Sequence, residues 1–228
     1  PPNMALPKNI KWVTFDVYGT LIDWEAGVVA AFQREAKRDG FEIDAPRVVE
    51  LFHEISADIQ SGSYELYAEV LRQTAVRIAE EIGWDLEPSR SGFLPDSVPR
   101  WMPFKETNTQ MKKFLSKYET ALISNIDDKL LGHTRRHVPA DVDLVVTAQQ
   151  VRSYKPDPAH FNEFARRIGG KKQWVHIASG PLADITPAAA MKVPTIWVNR
   201  TKAELPAGAK KPTAEVKSLL EAAKLLGL

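Results

Sequence analysis

Four short segments of this 228-residue chain carry side chains that could do chemistry together. Phe15-Asp16-Val17-Tyr18-Gly19-Thr20-Leu21 sets a carboxylate at the end of an apolar run, followed by a glycine that permits a tight turn and by a hydroxyl. Ser124-Asn125 closes a second run with a hydroxyl and an amide. Ser153-Tyr154-Lys155-Pro156-Asp157 follows a third and supplies an ammonium. Ser179 through Asp184 ends a fourth with a hydroxyl and a second carboxylate. Taken singly, Asp16 and Asp184 read as turn or helix caps, Ser124 as a cap and Lys155 as a solvated loop residue. A buried carboxylate is costly unless it is paired, however, and these groups recur at the ends of successive apolar runs. Together they offer two carboxylates, a counter-charge and neutral donors around one small ligand.

Their positions follow from the elements that must carry them. Short β-branched runs at 12–17, 120–125, 144–147, 174–179 and 195–199 alternate with helical patterns at 106–117, 128–136, 158–168 and 184–191. This is the signature of βα units feeding a parallel sheet, here an α/β, doubly wound, Rossmann-like core. An amphipathic helix over 213–226 closes the chain. In such a sheet the carboxyl ends of the strands share one crevice, so the four segments converge on one edge. The long interval after the first run has no strand signal. Helical patterns at 25–39, 46–60 and 64–82, with a shorter one at 91–101, make it an insertion that overhangs the crevice as a lid. The expected division is therefore a core of 1–22 and 100–228 with a helical cap domain of 23–99.

With these motifs in place, the chain resembles the haloacid dehalogenase superfamily, whose four motifs match Asp16 to Leu21, Ser124-Asn125, Lys155 and Asp184. Phosphatases of that superfamily carry a second aspartate two residues after the nucleophile, and here that position is Tyr18. Tyrosine, with a reference pKa of about 10, is a poor proton donor at neutral pH. The segment before Asp184 lacks the extra acid that would help hold magnesium, and a hard dication would find few oxygen ligands. Tyr18 to Trp24 and Ser153 to Asp157 resemble the L-2-haloacid dehalogenase (type II) branch. That resemblance implies a metal-independent hydrolase without cofactor, acting on a small carboxylic acid through an aspartyl ester with inversion at carbon. It makes Asp16 the nucleophile and Lys155 its counter-charge. Asp184 orients or activates water with Ser179. Thr20 and Ser124 hold the substrate carboxylate, Asn125 faces the leaving group, and Tyr18 and Trp24 pack beside it.

The family pattern is not complete. Well-known dehalogenases use a cap-helix arginine to draw out the halide, where this chain has His53. They also carry an asparagine and an aromatic residue at positions held here by Pro181 and Ala183. The altered cradle leaves open another leaving group on the α-carbon, such as the amine of L-azetidine-2-carboxylate. A magnesium-dependent phosphatase and a catalytically silent α/β protein that binds a partner are the remaining alternatives.

Composition narrows the field further. Thirty Lys and Arg against 29 Asp and Glu give a formal charge of +1, too even for a broad nucleic-acid or membrane-surface field. Without cysteine there is no disulfide, thiolate or cysteine-metal site. No uncharged run approaches the length of a membrane span, and the opening Pro1-Pro2-Asn3 has neither the basic start nor the apolar run of a signal peptide. The expected location is the cytoplasm. His133 and His137 share a helix face without an accompanying glutamate; with His160 and His176 they read as structural, which leaves His53 as the histidine with a reason to touch the ligand. Unpaired apolar faces on the cap helices leave a homodimer open.

Overall fold

The computed structural model describes residues 5–139 and 141–228; Pro1-Pro2-Asn3, on which the signal-peptide reading turned, lie outside them. The chain order is β1 (Trp12–Phe15), α1 (Trp24–Lys37), α2 (Ala45–Gln60), α3 (Tyr67–Ile82), two 3₁₀ turns (Pro88–Phe93 and Pro95–Arg100), α4 (Thr107–Lys117), β2 (Glu119–Ser124), α5 (Asp128–Thr134), β3 (Leu144–Thr147), α6 (Ala148–Val151), α7 (Ala159–Ile168), β4 (Trp174–Ala178), a π-helical turn (Pro181–Ile185), α8 (Thr186–Ala190), β5 (Thr195–Val198), β6 (Ala214–Val216) and α9 (Leu219–Leu225). The strands form one sheet in the order β3-β2-β1-β4-β5-β6, with parallel pairings throughout. β1 lies between β2 and β4, where the winding direction changes, and its carboxyl end opens into the switch-point crevice.

Strands covered on both faces should be apolar throughout, and β4, Trp-Val-His-Ile-Ala, is buried at every position. Alternation divides the residues between two cores. Val13, Phe15, Leu122, Val175 and Ile177 join one apolar cluster. Ala121, Ile123, Phe161, Phe164 and Trp174 make the cluster on the other face. The first cluster runs on without a break into the insertion through Phe32, Leu51, Leu71, Ile78 and Trp101. Local signals set the insertion's helices. Asp23 accepts a hydrogen bond from Ala26 N (3.1 Å) to cap α1. Pro46 sits in the first turn of α2. Both carboxylate oxygens of Asp127, just past β2, accept the N–H groups of Tyr67 (2.7 Å) and Ala68 (2.8 Å) and so clasp the N-terminus of α3. Tyr154 adds a tie by donating to Glu65 O at 2.6 Å.

The structure differs from the sequence reading in three places. Residues 213–226 are not one helix: Ala214–Val216 form a sixth strand on β5, and α9 starts only where Ser218 accepts from Glu221 N (3.2 Å). The strand is three residues long, too short for alternation to reveal. Residues 91–101 form 3₁₀ turns, because Pro95 and Pro99 remove the N–H groups an α-helix would use. Residues 184–191 do not start a helix at Asp184. Pro181 opens a π turn in which Ile185 N donates to Gly180 O (3.1 Å), and α8 follows. No helix among the described residues is long and apolar enough to cross a membrane.

Candidate active site

Asp16 leaves β1 with its N–H still bonded to Ile177 O (3.1 Å), so the sheet sets the direction of its side chain. The Gly19 turn (φ +95°) follows, packed so closely that a Cβ there would lie 2.8 Å from Ser179 Oγ. Arg200 fixes this turn from outside, donating to Gly19 O (3.3 Å) and Thr20 O (2.7 Å) while paired with Glu106 at 2.6 Å. The carboxylate of Asp16 is held at both oxygens: Oδ1 accepts from Lys155 Nζ at 3.0 Å and Oδ2 from Thr20 Oγ1 at 3.0 Å.

Lys155 is the centre of the arrangement. Its three ammonium donors are all used, on Asp16 Oδ1, on Ile123 O at 2.9 Å and on Asp184 Oδ1 at 2.6 Å, and its side chain is 1% exposed. Asn125 fixes the lysine's backbone, accepting from Lys155 N (2.7 Å) and donating to Lys155 O (3.1 Å). Two buried carboxylates sharing one cation cannot be equally easy to ionise. Burial and the neighbouring Asp184 charge push Asp16 above the ordinary carboxylate value, against the pull of Lys155. Asp184 is buried too, but the Lys155 charge and hydrogen bonds from His176 and Lys155 outweigh that burial and hold it below the ordinary value. Burial opposes the charge on Lys155, yet the two carboxylates raise its pKa overall and keep it an ammonium.

These groups line the floor of a cavity of about 830 Å³ beneath the insertion. Of the residues expected in the site, all but Thr20 line it: Asp16, Tyr18, Trp24, His53, Ser124, Asn125, Lys155, Ser179 and Asp184. Thr20 lies behind Asp16 instead, donating to it and accepting from Ser179 N (2.9 Å), so its hydroxyl is spent on Asp16 and Ser179 rather than left free for a ligand's carboxylate. Asn125 does not face a leaving group, because Lys155 and Gln60 (3.4 Å) take its amide donors. Ser124 Oγ is buried and has no partner among the described residues, which leaves it for a ligand. Tyr18 bonds to Thr134 Oγ1 (2.7 Å), and burial raises its pKa well beyond the ordinary tyrosine range. On the roof, Trp24 stacks on Phe52 with centroids 5.0 Å apart and meets His53 edge-on at 4.6 Å. His53 lies 3.9 Å from Glu25 and is an imidazole rather than a permanently charged guanidinium.

His176 was read as structural, and it is not apart from the site: its Nε2 lies 2.9 Å from Asp184 Oδ1. A titratable residue two places before a buried strand end is a signal only when the neighbouring strand's register is known, here Thr14 opposite His176. Arg200 and Asp127 were also missed, since each acts from a segment distant in sequence. His160 does read correctly; burial and Lys155 push it down to about 3, and it is a neutral core residue bonded to Ser124 O at 3.1 Å.

A magnesium ion is typically held by one or two free carboxylates and completes its octahedron with water, so it needs carboxylates not already bridged by another cation. Here both carboxylates commit an oxygen to the same ammonium, Tyr18 stands where a further acid would be needed, and no group of three His, Asp or Glu able to hold a metal occurs among the described residues. This donor set does not fit the ion.

A sequence model described as haloacid dehalogenase-like hydrolase matches residues 10–192. An (S)-2-haloacid dehalogenase of Pseudomonas sp. (strain YL) is 25% identical over 214 residues, which is 92% of this chain and 91% of that protein. Among solved structures, an L-2-haloacid dehalogenase from Xanthobacter autotrophicus with chloropropionic acid covalently bound superposes with a TM-score of 0.82 at 17% identity, over 95% of this chain and 98% of that one. The HAD-hydrolase YfnB of Bacillus subtilis, bound to magnesium, does so with a TM-score of 0.84 at 15% identity, over 97% and 100%. The fold is thus shared by a magnesium-bound protein and a covalently substituted one, and does not by itself separate their chemistries.

Proposed function

Since the chain belongs to the haloacid dehalogenase-like hydrolases, we propose that it hydrolyses short 2-substituted carboxylic acids, (S)-2-haloacids first among them, through an ester on Asp16. The observation that carries this reading is the single ammonium shared by two carboxylates at the cavity floor. It keeps one carboxylate aimed at the ligand and a second beside it, with nothing arranged for a phosphoryl group and its metal. The name borne by the Pseudomonas relative supports the same substrate class.

In the first step a carboxylate oxygen of Asp16 attacks the α-carbon opposite the halogen. The carbon–halogen bond breaks with its electron pair, halide leaves as a stable anion, and the carbon is inverted. No proton is required, which suits a site whose tyrosine is bonded to Thr134 and hard to ionise. The free Ser124 hydroxyl and backbone amides hold the substrate carboxylate, while the leaving group faces the aromatic wall of Trp24, Phe52 and His53. In the second step water adds to the carbonyl carbon of the ester and Asp184 takes its proton. The bond from that carbon to the α-oxygen breaks, the proton on Asp184 passes to the departing oxygen so that the 2-hydroxy acid leaves with its hydroxyl complete, and Asp16 returns as a carboxylate with its remaining proton lost to solvent. Net, one water is consumed, and one halide and one proton are released. The helical insertion, residues 23–99, serves as the cap that excludes bulk water, no metal takes part, and the enzyme works in the cytoplasm.

The test is a panel of haloacetates, 2-halopropionates of both hands, azetidine-2-carboxylate and a phosphate monoester, each with and without magnesium or chelator. At least one 2-substituted acid should be hydrolysed at full rate in chelator, and single turnover in oxygen-18 water should label Asp16. Magnesium-dependent phosphate release with every acid inert would overturn the reading.

A further inference from the structure

His176 is buried in β4, with its ring edge-on to Phe161 at 4.9 Å, and takes no part in the steps above. Its surroundings decide where its proton is. The indole N–H of Trp174 can only donate, and it donates to Thr14 Oγ1 at 2.8 Å. The single hydroxyl proton of Thr14 then has one acceptor within reach, His176 Nδ1 at 2.7 Å. Nδ1 is therefore the bare nitrogen, and Nε2 carries the hydrogen that it donates to Asp184 Oδ1 at 2.9 Å. A doubly protonated ring would leave the Thr14 proton without an acceptor among the described residues.

Asp184 Oδ1 thus takes two donors, Nε2–H of His176 on β4 and the Lys155 ammonium at 2.6 Å. No hydrogen bond from the described residues ends on the other oxygen, Oδ2. That oxygen lies against Gly180, where a Cβ would come within 2.9 Å of it, and both residues line the cavity. A carboxylate held at one oxygen by one donor can turn; held there by two, one from β4 and one from the loop after α6, it resists exchanging its oxygens.

We propose that His176 is a positioning residue for Asp184: the Trp174–Thr14–His176 chain pins Oδ1 and so presents Oδ2 to the water that hydrolyses the ester. This rests on the proposed function for its kinetic consequence, though not for its tautomer. The groups facing Asp184 are Lys155 from the loop after β3, Asp16 from the end of β1, His176 from β4 and the neutral His160 from α7. Only the second half-reaction uses Asp184 as a base, so the chain should matter there and not in halide release.

The experiment joins rapid-quench kinetics with spectroscopy. With a 2-halopropionate, His176→Leu should release its first equivalent of halide at near wild-type rate, then hydrolyse the ester roughly 10- to 100-fold more slowly, as expected for losing a hydrogen bond to a charged group. The Asp16 ester should accumulate by intact mass. The acid limb of ester hydrolysis should move to higher pH, since Asp184 loses a donor. His176→Gln, which keeps an N–H toward Asp184, should restore most of the rate, and Thr14→Val should fall between. Long-range nitrogen–proton correlation spectra of the unmodified protein should show the ring neutral with its proton on Nε2. A purely structural histidine would slow both steps alike, accumulate no ester and leave the acid limb in place; that result, or a proton on Nδ1, overturns the proposal. Should His176→Leu fail to fold, Thr14→Val and the tautomer still decide it. If the wild-type protein hydrolyses none of the acids, the proposed function fails while the spectrum still tests the positioning.

Discussion

The floor and the roof of the cavity are built on different terms. On the floor, Asp16, Lys155 and Asp184 are nearly sealed from solvent, and Lys155 has no donor left unspent. On the roof, the His53 side chain is 65% exposed, is paired only loosely with Glu25 at 3.9 Å, and otherwise meets aromatic faces. A group held by three directional bonds cannot shift without breaking one, whereas an aromatic wall can repack around ligands of several shapes. Under the proposed function, the floor therefore fixes the reaction type and the roof tells substrates apart.

The sharpest way to break that contrast is at Asp16, the nucleophile of the proposed mechanism. Asp16→Asn keeps the shape and the Thr20 contact, so the protein should fold as before, while turnover falls by at least about 10⁴-fold. Steady-state halide release with circular dichroism as the folding control measures both. Comparable turnover in this variant would move the chemistry off the floor altogether.

Lys155→Met comes next. It leaves two buried carboxylates without their cation, which should cost roughly 3–5 kcal/mol in denaturant unfolding and slow ester formation by about 100-fold or more. The sign of the pH effect follows from the same charges. Asp16 must be ionised to attack, so activity is lost as pH falls through its raised pKa, and Lys155 opposes that rise. Removing the cation should carry the acid limb of kcat/KM to higher pH. A variant as stable and active as the parent would make Lys155 an ordinary loop residue.

The roof should answer more weakly. His53→Ala should leave stability within about 0.5 kcal/mol and kcat within about threefold, while shifting KM and the order of preference among halogens by roughly 3- to 10-fold. A loss comparable to that of Lys155→Met would erase the distinction drawn between the two surfaces.

The same division explains how much could be read before any coordinates. Asp16 and Ser124 stand at the ends of strands whose apolar runs announce themselves, and Lys155 and Asp184 in the segments that follow two others, so their meeting on one sheet edge follows from parallel topology. What stayed hidden depends on distances that no local pattern encodes. Thr20 falls behind Asp16 because the Gly19 turn presses on Ser179. Asn125 turns to the Lys155 backbone, and His176 becomes a partner of Asp184 through the register that sets it beside Thr14. β6 was lost in an amphipathic pattern because a strand of three residues has too few positions to show a period.

The place of β1 in the sheet also bears on the order in which the molecule comes into being. The strand precedes the other described strands along the chain, yet Val13 pairs with Thr120 on one side and with Val175 on the other. The nucleophile and its ammonium are separated by 139 positions. Closing such loops costs entropy that only the finished sheet repays, whereas the contacts among α1, α2 and α3 are close in sequence and form early. On refolding, regained activity should therefore lag behind regained helix, as activity assays beside circular dichroism would show.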